Sequence, residues 1–163
     1  MGKLYTALGL MSGTSMDGVD ASIIKSDGER VYSALFDRYF EYGDKIRQKI
    51  LDIRAKILVP NHLIIHESEI KDIEREITLF HSNIVKEILN NNKIDVDLLG
   101  FHGQTIFHDS KKKITKQLGD GKLLSQLTKK KVVYNFRQND LKNGGQGAPL
   151  TPIFHNLIAN KYL

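Results

Sequence analysis

The stretch YTALGLMSGTSMDGVDASIIK, residues 5–25, decides how the chain begins to fold. Its two ends, residues 5–11 and 19–25, are rich in apolar and β-branched side chains, which favour strands. Between them lies a run of glycine and hydroxyl residues that contains Asp17 followed by Gly18, a common turn pair. Residues 30–39 alternate partly between apolar and polar side chains. These three segments predict an antiparallel meander of three strands.

Beyond this meander the apolar residues recur with a helical period. Isoleucines three or four residues apart predict a helix that Asp44 caps, that reaches about Leu58 and that Pro60 ends. A longer helix is predicted to about Asn90, and we expect its apolar stripe to face the core rather than a partner protein. The stripe consists of Ile70, Ile73, Ile77, Phe80, Ile84 and Ile88.

The rest of the chain mixes short strands with helices. Residues 97–101 and 132–136 are predicted strands, a turn leads into a helix over 119–128, and a last helix runs from Pro152 to Leu163. The predicted fold class is therefore α/β, with parallel strands that extend the three-stranded antiparallel meander and helices that flank the mixed sheet. The 163 residues fit one domain of ordinary size.

Composition and charge exclude several classes of protein. Because the chain contains no cysteine, we expect no disulfide, thiolate metal site or cysteine nucleophile, which fits a reducing cytoplasm. No apolar run reaches the roughly 18 residues of a membrane span, and the start does not read as a secretory signal. The net charge is +5, but no RNA-binding aromatic motif accompanies the scattered lysines. We therefore expect neither a membrane nor a nucleic acid as partner.

The first glycine-rich run has the composition of an anion-binding turn. Backbone N–H groups of such a turn point into one concavity, and the hydroxyls of Thr14 and Ser15 add donors. Asp17 beside them is suited to hold magnesium through water, where the ion would bridge nucleotide phosphates. Two alternatives stay open, an ordinary hairpin and a protease with Ser15 as nucleophile and His102 or His155 as its base.

A second polar, glycine-rich cluster follows the predicted short strands. It occupies residues 100–105, 117–121, 135–137 and 140–149. In open α/β sheets, ligands bind at the ends of strands. Amide and imidazole groups suit a ligand rich in hydroxyls, and Arg137 suits a carboxylate or a phosphate. For His102, the alternative is a loop histidine that bonds the backbone.

Four motifs, in this order, resemble the anhydro-N-acetylmuramic acid kinase family. Each is weak alone, but the four together are specific and span nearly the whole chain. The resemblance implies an actin-like ATPase fold, which is ribonuclease H-like, in the superfamily of acetate and sugar kinases, with two lobes around a nucleotide cleft. The motifs are MSGTSMDGVD (11–20), GFHGQT (100–105), QLGDG (117–121) and GGQGAPLTP (144–152).

The resemblance also implies an activity and its cofactors. The family uses ATP and magnesium to open the anhydro ring of 1,6-anhydro-N-acetylmuramic acid with water and to phosphorylate O6. The product is N-acetylmuramic acid 6-phosphate, in the cytoplasmic recycling of cell-wall peptidoglycan. An aspartate base activates the water. Such phosphoryl transfer needs mostly positioning and charge stabilisation from the protein.

The resemblance assigns roles to individual positions. Asp17 would hold the magnesium ion through water. The ATP phosphate turn would consist of Gly13, Thr14, Ser15, Met16, Asp17, Gly18, Val19 and Asp20. The sugar side of the cleft would be lined by His102, Gly103, Gln104, Thr105, Arg137, Gln146 and Gly147.

The sequence departs from the family pattern at four points, one of which is that residues 110–113 lack the usual proline. Residues 1–163 match the N-terminal lobe, so the lobe with the catalytic aspartate and the adenine pocket would lie beyond Leu163. Asn135 stands where the family usually has aspartate, and Lys142 where a small apolar residue is usual.

Two interpretations of the chain stay open. It is half of an ATP-dependent kinase, inactive alone and completed by a separately encoded C-terminal half, or it is a non-catalytic lobe that binds a nucleotide, a sugar or a partner chain. Because a cleft surface without its second lobe exposes apolar area, we also expect self-association, with a homodimer as one form.

Overall fold

The computed structural model describes residues 2–162, without the side chains of residues 160–162. Within that range the chain forms six strands and six helices. In chain order they are β1 (Tyr5–Ser12), β2 (Gly18–Ser26), β3 (Tyr32–Glu41), α1 (Asp44–Lys56), α2 (His62–Ile65), α3 (Glu67–Asn92), β4 (Leu98–Asp109), β5 (Ile114–Leu118), α4 (Gly121–Thr128), β6 (Lys131–Tyr134), α5 (Phe136–Lys142) and α6 (Pro152–Tyr162).

The first three strands form the predicted antiparallel meander. β1 pairs with β2, with Leu8 opposite Ile23, and β2 pairs with β3, with Val19 opposite Phe40. Alternate residues of β1 and β2 are buried, as in strands with one face on a core. β3 is the outer strand and is mostly exposed. The prediction of the meander is confirmed.

The parallel strands lie on the other side of β1. The sheet order is β3-β2-β1-β4-β5, and β6 also pairs with β4. β1 and β6 both run parallel to the first half of β4, whereas β5 pairs antiparallel with its second half. The sheet is the mixed one that the sequence predicted.

β4 is much longer than predicted. The expected strand over 97–101 continues through the polar residues His102 and Gln104 to Asp109. Glycine and polar residues are typical of loops, but here β5 pairs with this segment and keeps its backbone extended. Gly103 lies inside the strand at a φ of +72°, where a Cβ atom would collide with the carbonyl of Leu118. The polar motif therefore belongs to the sheet itself rather than to a loop after it.

One face of the sheet packs on α1 and α3 around an apolar core. The predicted stripe of α3 is buried, except that Phe80 is only partly buried and the neighbouring His81 is fully buried. The stripe therefore passes through His81, which is four residues after Ile77 and three before Ile84. The expectation that this stripe faces the core is confirmed.

The first helix begins differently from the prediction. Gly43 is the N-cap residue and makes no side-chain cap bond, so the prediction that Asp44 caps α1 was wrong. Asp44 lies in the first turn, where a carboxylate still suits the helix dipole. The helix ends at Lys56, four residues before Pro60.

The later elements follow the prediction in order but not in every boundary. The carboxylate of Asp120 caps α4 by accepting from the N–H groups of Lys122 and Leu123, at 2.9 and 3.0 Å. β6 ends at Tyr134 because Asn135 adopts a left-handed backbone, and the unpredicted helix α5 follows. The last helix starts at Pro152 as predicted, while Leu163 lies outside the described residues.

The other face of the sheet borders a cavity of about 1030 Å³ beneath α5 and α6. Ala7, Gly9 and Met11 of β1 line it from the sheet side, and Phe136 and Phe154 from the helices. None of the helices within residues 2–162 is long and apolar enough to cross a membrane. The fold is α/β, a mixed sheet flanked by helices, as in an actin-like ATPase lobe.

Candidate functional site

The two glycine-rich clusters meet at one edge of the sheet. Leu10 of β1 lies beside Phe101 of β4, which lies beside Tyr134 of β6. All three strands are parallel here, so the turn after β1, the middle of β4 and the start of α5 lie at the same end. This is the end of an α/β sheet at which ligands bind.

The turn between β1 and β2 presents backbone donors at an exposed tip. It is closed by the N–H of Met16, which donates to the carbonyl of Gly13 at 3.3 Å. Met16 has a left-handed backbone, φ +56°, and its side chain is 1% exposed, so the core anchors the turn. Thr14 and Ser15 are exposed, and their N–H groups donate to no other group within residues 2–162. Unpaired amides in a tight turn form a site that suits an anion.

Asp17 places a carboxylate beside these amides. The hydroxyl of Ser15 donates to it at 2.5 Å, and this bond is the main cause that lowers the pKa of Asp17. Tyr39 and Arg47 lower it further, so the carboxylate is ionised at neutral pH. A single carboxylate with waters and phosphate oxygens is a usual environment for magnesium, so Asp17 fits that ion. Within residues 2–162 no group of three or more acidic or histidine side chains could hold a metal ion.

Gly18 lets the neighbouring strand approach the turn closely. A Cβ atom at this position would collide with the carbonyl of Phe40 and with the ring of Tyr39. The close approach brings the Tyr39 hydroxyl to Asp17. The pKa of Tyr39 is raised, first by desolvation and then by the charge of Asp17. Gly18 is therefore required by packing rather than by a positive φ.

A buried chain of hydrogen bonds lies under the start of the turn. The carbonyl of Ile77 can only accept, so Nδ1 of His81 donates to it, at 2.8 Å, and Nε2 is the acceptor. The Ser12 hydroxyl donates to Nε2 at 3.2 Å and accepts from the Tyr42 hydroxyl at 2.8 Å. Burial lowers the pKa of His81 to about 4 and raises that of Tyr42 to about 12. Both groups are therefore neutral at physiological pH, and the proton positions along the chain are fixed.

Gln104 reaches the turn from β4. Its side chain is completely buried, and its Nε2 donates to the carbonyl of Gly13 at 2.8 Å. The Oε1 atom has no hydrogen-bond partner among the described residues. Thr105, next along the strand, accepts from the amide of Gln117 on β5, at 3.3 Å. Of the two side chains, Gln104 is the one that contacts the turn.

Arg137 and His102 form the second part of the site. Nε of Arg137 donates to Nε2 of His102 at 2.8 Å, and Nη1 donates to the carbonyl of Gly147 at 3.1 Å. Nδ1 of His102 lies 2.6 Å from the carbonyl of Gly103, so this nitrogen carries the proton and the ring is neutral. Burial, with a smaller contribution from Arg137, lowers the pKa of His102. Both ring nitrogens of His102 are therefore occupied.

The charge of Arg137 has no partner of opposite sign in the described part of the chain. No carboxylate oxygen of residues 2–162 lies within 4.0 Å of the guanidinium. Burial lowers the pKa of Arg137, but an arginine keeps its proton at any physiological pH. A partly buried guanidinium without a counter-ion is a site for an anion.

The glycine loop after α5 is fixed by Asp140. Its carboxylate accepts from the N–H of Gly147 at 2.7 Å, and a Cβ atom at Gly145 would collide with it. This bond places the carbonyl of Gly147 against Arg137. Gln146, between the two glycines, is exposed.

The sequence profile described as anhydro-N-acetylmuramic acid kinase matches residues 5–162. The chain belongs to the anhydro-N-acetylmuramic acid kinase family. It is 62% identical over 161 residues to the anhydro-N-acetylmuramic acid kinase of Pelagibacter ubique and 42% identical over 165 residues to that of Agrobacterium fabrum. The alignments cover 99% and 98% of this chain. The chain spans 43% of the length of each relative.

The structure brings together only some of the residues that the kinase family resemblance assigned. His102, Arg137 and Gly147 form one hydrogen-bonded group, and Gln104 contacts Gly13 of the other group. Gly103 and Thr105 are engaged with β5, and Gln146 is exposed. Asp20 and His102 both line the cavity under α5 and α6. The roles in nucleotide and sugar binding stay predictions.

The departures from the family pattern are compatible with the fold. Asn135 has a φ of +62°, a conformation that asparagine tolerates better than most residues. Lys142 is exposed in the last turn of α5, where a cation suits the helix dipole. Ser15 donates to Asp17 and is followed by a strand, and no histidine among residues 2–162 bonds to it. A serine protease site is therefore not formed at Ser15.

Sequence reasoning missed Tyr42 and His81, and it gave no separate role to Ser12 and Asp140, although both lie in the glycine-rich runs it picked out. One of them had left a signal, because His81 occupies a core position in the helical stripe of α3, where a polar side chain is unusual. Tyr42 carries no such signal, and the partner of Asp140 is defined only by the folded structure.

Proposed function

We propose that this chain supplies the phosphate-binding part of an ATP-dependent sugar kinase. The reaction is that of its family, the opening and phosphorylation of 1,6-anhydro-N-acetylmuramic acid to N-acetylmuramic acid 6-phosphate in peptidoglycan recycling. The observation that supports this most is the meeting of two anion sites at one sheet end. The unpaired amides of Thr14 and Ser15 form the first, and the unpaired charge of Arg137 forms the second.

In this proposal the first turn holds the ATP phosphates. Its exposed N–H groups donate to phosphate oxygens, with the hydroxyl of Thr14 as a further donor. Asp17 binds magnesium through water, and that ion, when bound, neutralises charge on the phosphates during transfer. The hydrogen bond from Ser15 lowers the pKa of Asp17 further and holds the carboxylate against the turn.

The second anion site binds the sugar. N-acetylmuramic acid carries a carboxylate, and the guanidinium of Arg137 is suited to bind it through two parallel hydrogen bonds. His102 does not act as a base, because one nitrogen donates to Gly103 and the other accepts from Arg137. It orients the guanidinium instead. Gln146 is exposed and precedes Gly147 in the loop, and in this proposal its amide bonds sugar hydroxyls.

The general base is not assigned to any residue of this chain. Asp17 is hydrogen-bonded to Ser15 in the phosphate turn, and Asp140 is bonded to Gly147. We expect the water to be activated by an aspartate of the C-terminal lobe. In the relatives, that lobe would lie in the part of the protein that this chain does not match. The purified chain alone is then inactive, and ATP-dependent turnover of the anhydro sugar by it would contradict this assignment.

The experiment that tests the proposal is calorimetric titration of the purified chain with magnesium–ATP and, separately, with the anhydro sugar. We expect both to bind. Asp17→Asn should weaken magnesium–ATP but not the sugar, and Arg137→Met should weaken the sugar but not magnesium–ATP. Absence of binding by a chain that unfolds cooperatively would contradict the proposal. It would leave, of the alternative, only a non-catalytic lobe that binds a partner chain, with which the coverage of 43% of the relatives is compatible.

Location and partners follow from the same proposal. A kinase that uses ATP and a recycled wall sugar acts in the cytoplasm, where both are present. We propose that a C-terminal half of the kind that the relatives carry completes the cleft, and that residues 1–163 without it form a homodimer. Mixing with such a half should restore turnover, and light scattering of the chain alone should show a mass above that of a monomer.

A further inference from the structure

We infer that Gln104 is a positioning residue for the phosphate turn, which it serves by holding the peptide between Gly13 and Thr14 in one orientation. The inference rests on the proposed function, because it concerns the same nucleotide site. It differs from the role in sugar binding that the family resemblance suggested for this residue. The contact that carries it is the 2.8 Å hydrogen bond from Nε2 of Gln104 to the carbonyl of Gly13.

The geometry of the peptide bond means that this contact also fixes the direction in which the N–H of Thr14 points. A trans peptide is planar, and its C=O and N–H groups point to opposite sides. Because the Gly13 carbonyl points to the buried Gln104, the N–H of Thr14 points away from the interior. That N–H lies at an exposed residue and has no partner among the described residues. It is therefore available to an anion outside the turn.

The turn needs such an anchor because Gly13 is free to rotate. Glycine has no Cβ and is the least restricted residue in its backbone angles, so the orientation of the peptide after it is poorly fixed by local sterics. A flipped peptide would direct the Gly13 carbonyl outward, where its partial negative charge would repel a phosphate. The N–H of Met16 also bonds this carbonyl, but at 3.3 Å and from within the same turn. Gln104 bonds it from a strand 91 residues away in sequence and fixes the turn to the sheet.

The same side chain is a poor choice for stability alone. Its Oε1 is buried without a partner in the described part of the chain, and an unpaired buried acceptor costs free energy. An apolar side chain of similar length would fill the space without that cost. It would also leave the Gly13 carbonyl bonded to Met16. A change at Gln104 should therefore separate folding from nucleotide binding.

The test compares Gln104→Met with Ser82→Ala in the full chain. Ser82 on α3 carries the other buried side-chain atom without a partner among the described residues, so it is the matched control. We expect both variants to unfold at the same denaturant concentration as the unchanged chain, or at a higher one. Gln104→Met should bind magnesium–ATP about 10-fold more weakly, the size expected for one charge-assisted hydrogen bond. Ser82→Ala should bind it unchanged.

An NMR measurement keeps this inference distinct from the proposed function. In the unchanged chain, the Gly13 carbonyl shift should report its bond to Gln104, and it should move in Gln104→Met but not in Ser82→Ala. If the unchanged chain binds no magnesium–ATP yet shows this carbonyl effect, the proposed function fails and the positioning of the peptide stands. If Gln104→Met keeps full affinity, or loses affinity only in proportion to lost stability, the inference is overturned. An unchanged Gly13 carbonyl shift in Gln104→Met overturns it as well.

Discussion

Mild acid should destabilise this chain through one buried side chain, His81. The ring is completely buried and packs against Phe101, with 4.9 Å between ring centroids. Burial is the largest cause that lowers the pKa of His81 from 6.5 to about 4, and protonation of His102 would act in the same direction. The hydrogen bond from Nδ1 to the carbonyl of Ile77 opposes the shift. The folded state therefore keeps the ring neutral well below the pH at which an exposed histidine is protonated.

The sign and size of the effect follow from this difference in pKa. Above the unfolded pKa of 6.5 the ring is neutral in both states, and the stability is fully present. As the pH falls from 6.5 toward about 4, the unfolded chain gains a proton that the folded chain does not, so the free energy of unfolding decreases. At about 1.36 kcal/mol per pH unit, the full loss is about 3 kcal/mol, of which roughly 2 kcal/mol is lost by about pH 5. Such a loss is large for a domain stable by about 5–15 kcal/mol.

Urea unfolding at several pH values between about 7.5 and 5 measures this loss. The comparison variant is His81→Gln, whose amide oxygen can still accept from Ser12 but cannot be protonated in this range. The stability of the unchanged chain should fall by roughly 2 kcal/mol more than that of the variant. His102 also has a lowered pKa, so its loss in the same direction is common to both chains and cancels in the comparison.

Equal pH dependence in the two chains would refute the reasoning, whatever their absolute stabilities. So would an NMR titration of the folded chain in which the His81 ring is protonated near its ordinary pKa of 6.5. A variant that fails to fold leaves this second measurement, which needs no substitution. The two assays thus decide the matter together.

Three further substitutions test the site itself. Gly18→Ala should destabilise the chain by about 1–3 kcal/mol, because its Cβ would meet the Phe40 carbonyl and the Tyr39 ring; a denaturation midpoint like that of the unchanged chain would contradict this packing. Arg137→Met should weaken binding of the anhydro sugar about 10–100-fold with no change for magnesium–ATP, as measured by calorimetry, and equal weakening of both would remove the assignment of a separate sugar site. Asp17→Asn should abolish the dependence of ATP binding on magnesium, and an unchanged magnesium dependence would show that the ion is held elsewhere.

The sequence predicted what depends on local pattern. The apolar composition of β1 and β2 and the period of α3 predicted the two strands, the helix and the buried face of that helix. The long β4 was missed because pairing with β5, rather than local preference, keeps its polar and glycine residues extended. The cap at Asp44 was wrong because Gly43 takes that position. Local sequence preferences predict the conformation that a residue favours. Pairing with a strand distant in sequence can override that preference.

The same distinction applies to the candidate site. The exposed residues of the turn could be predicted from composition, because glycine, hydroxyl and carboxylate groups together are typical of an anion-binding turn. The residues that hold the turn could not, because Gln104 and His81 reach it from positions 91 and 69 residues away in sequence. The family resemblance predicted that Gln104 lines the sugar side of the cleft, but not that it supports the turn between β1 and β2. Only the folded structure distinguishes a side chain that faces the ligand from a side chain that supports the ligand-facing backbone.

The two halves of the site should therefore depend differently on polypeptide outside this chain. The phosphate turn is held by the side chains of Met16 and Gln104 and by the hydrogen bonds that link Ser12 to His81. These side chains are buried between the sheet and α3. A turn fixed in this way loses little freedom on binding, so its affinity for phosphate is set within residues 2–162. Arg137 is held from the glycine loop after α5 and from His102, which itself lines the cavity under α5 and α6. Its anion is shielded from water only when another surface closes over it, so a C-terminal half should raise sugar affinity more than ATP-phosphate affinity.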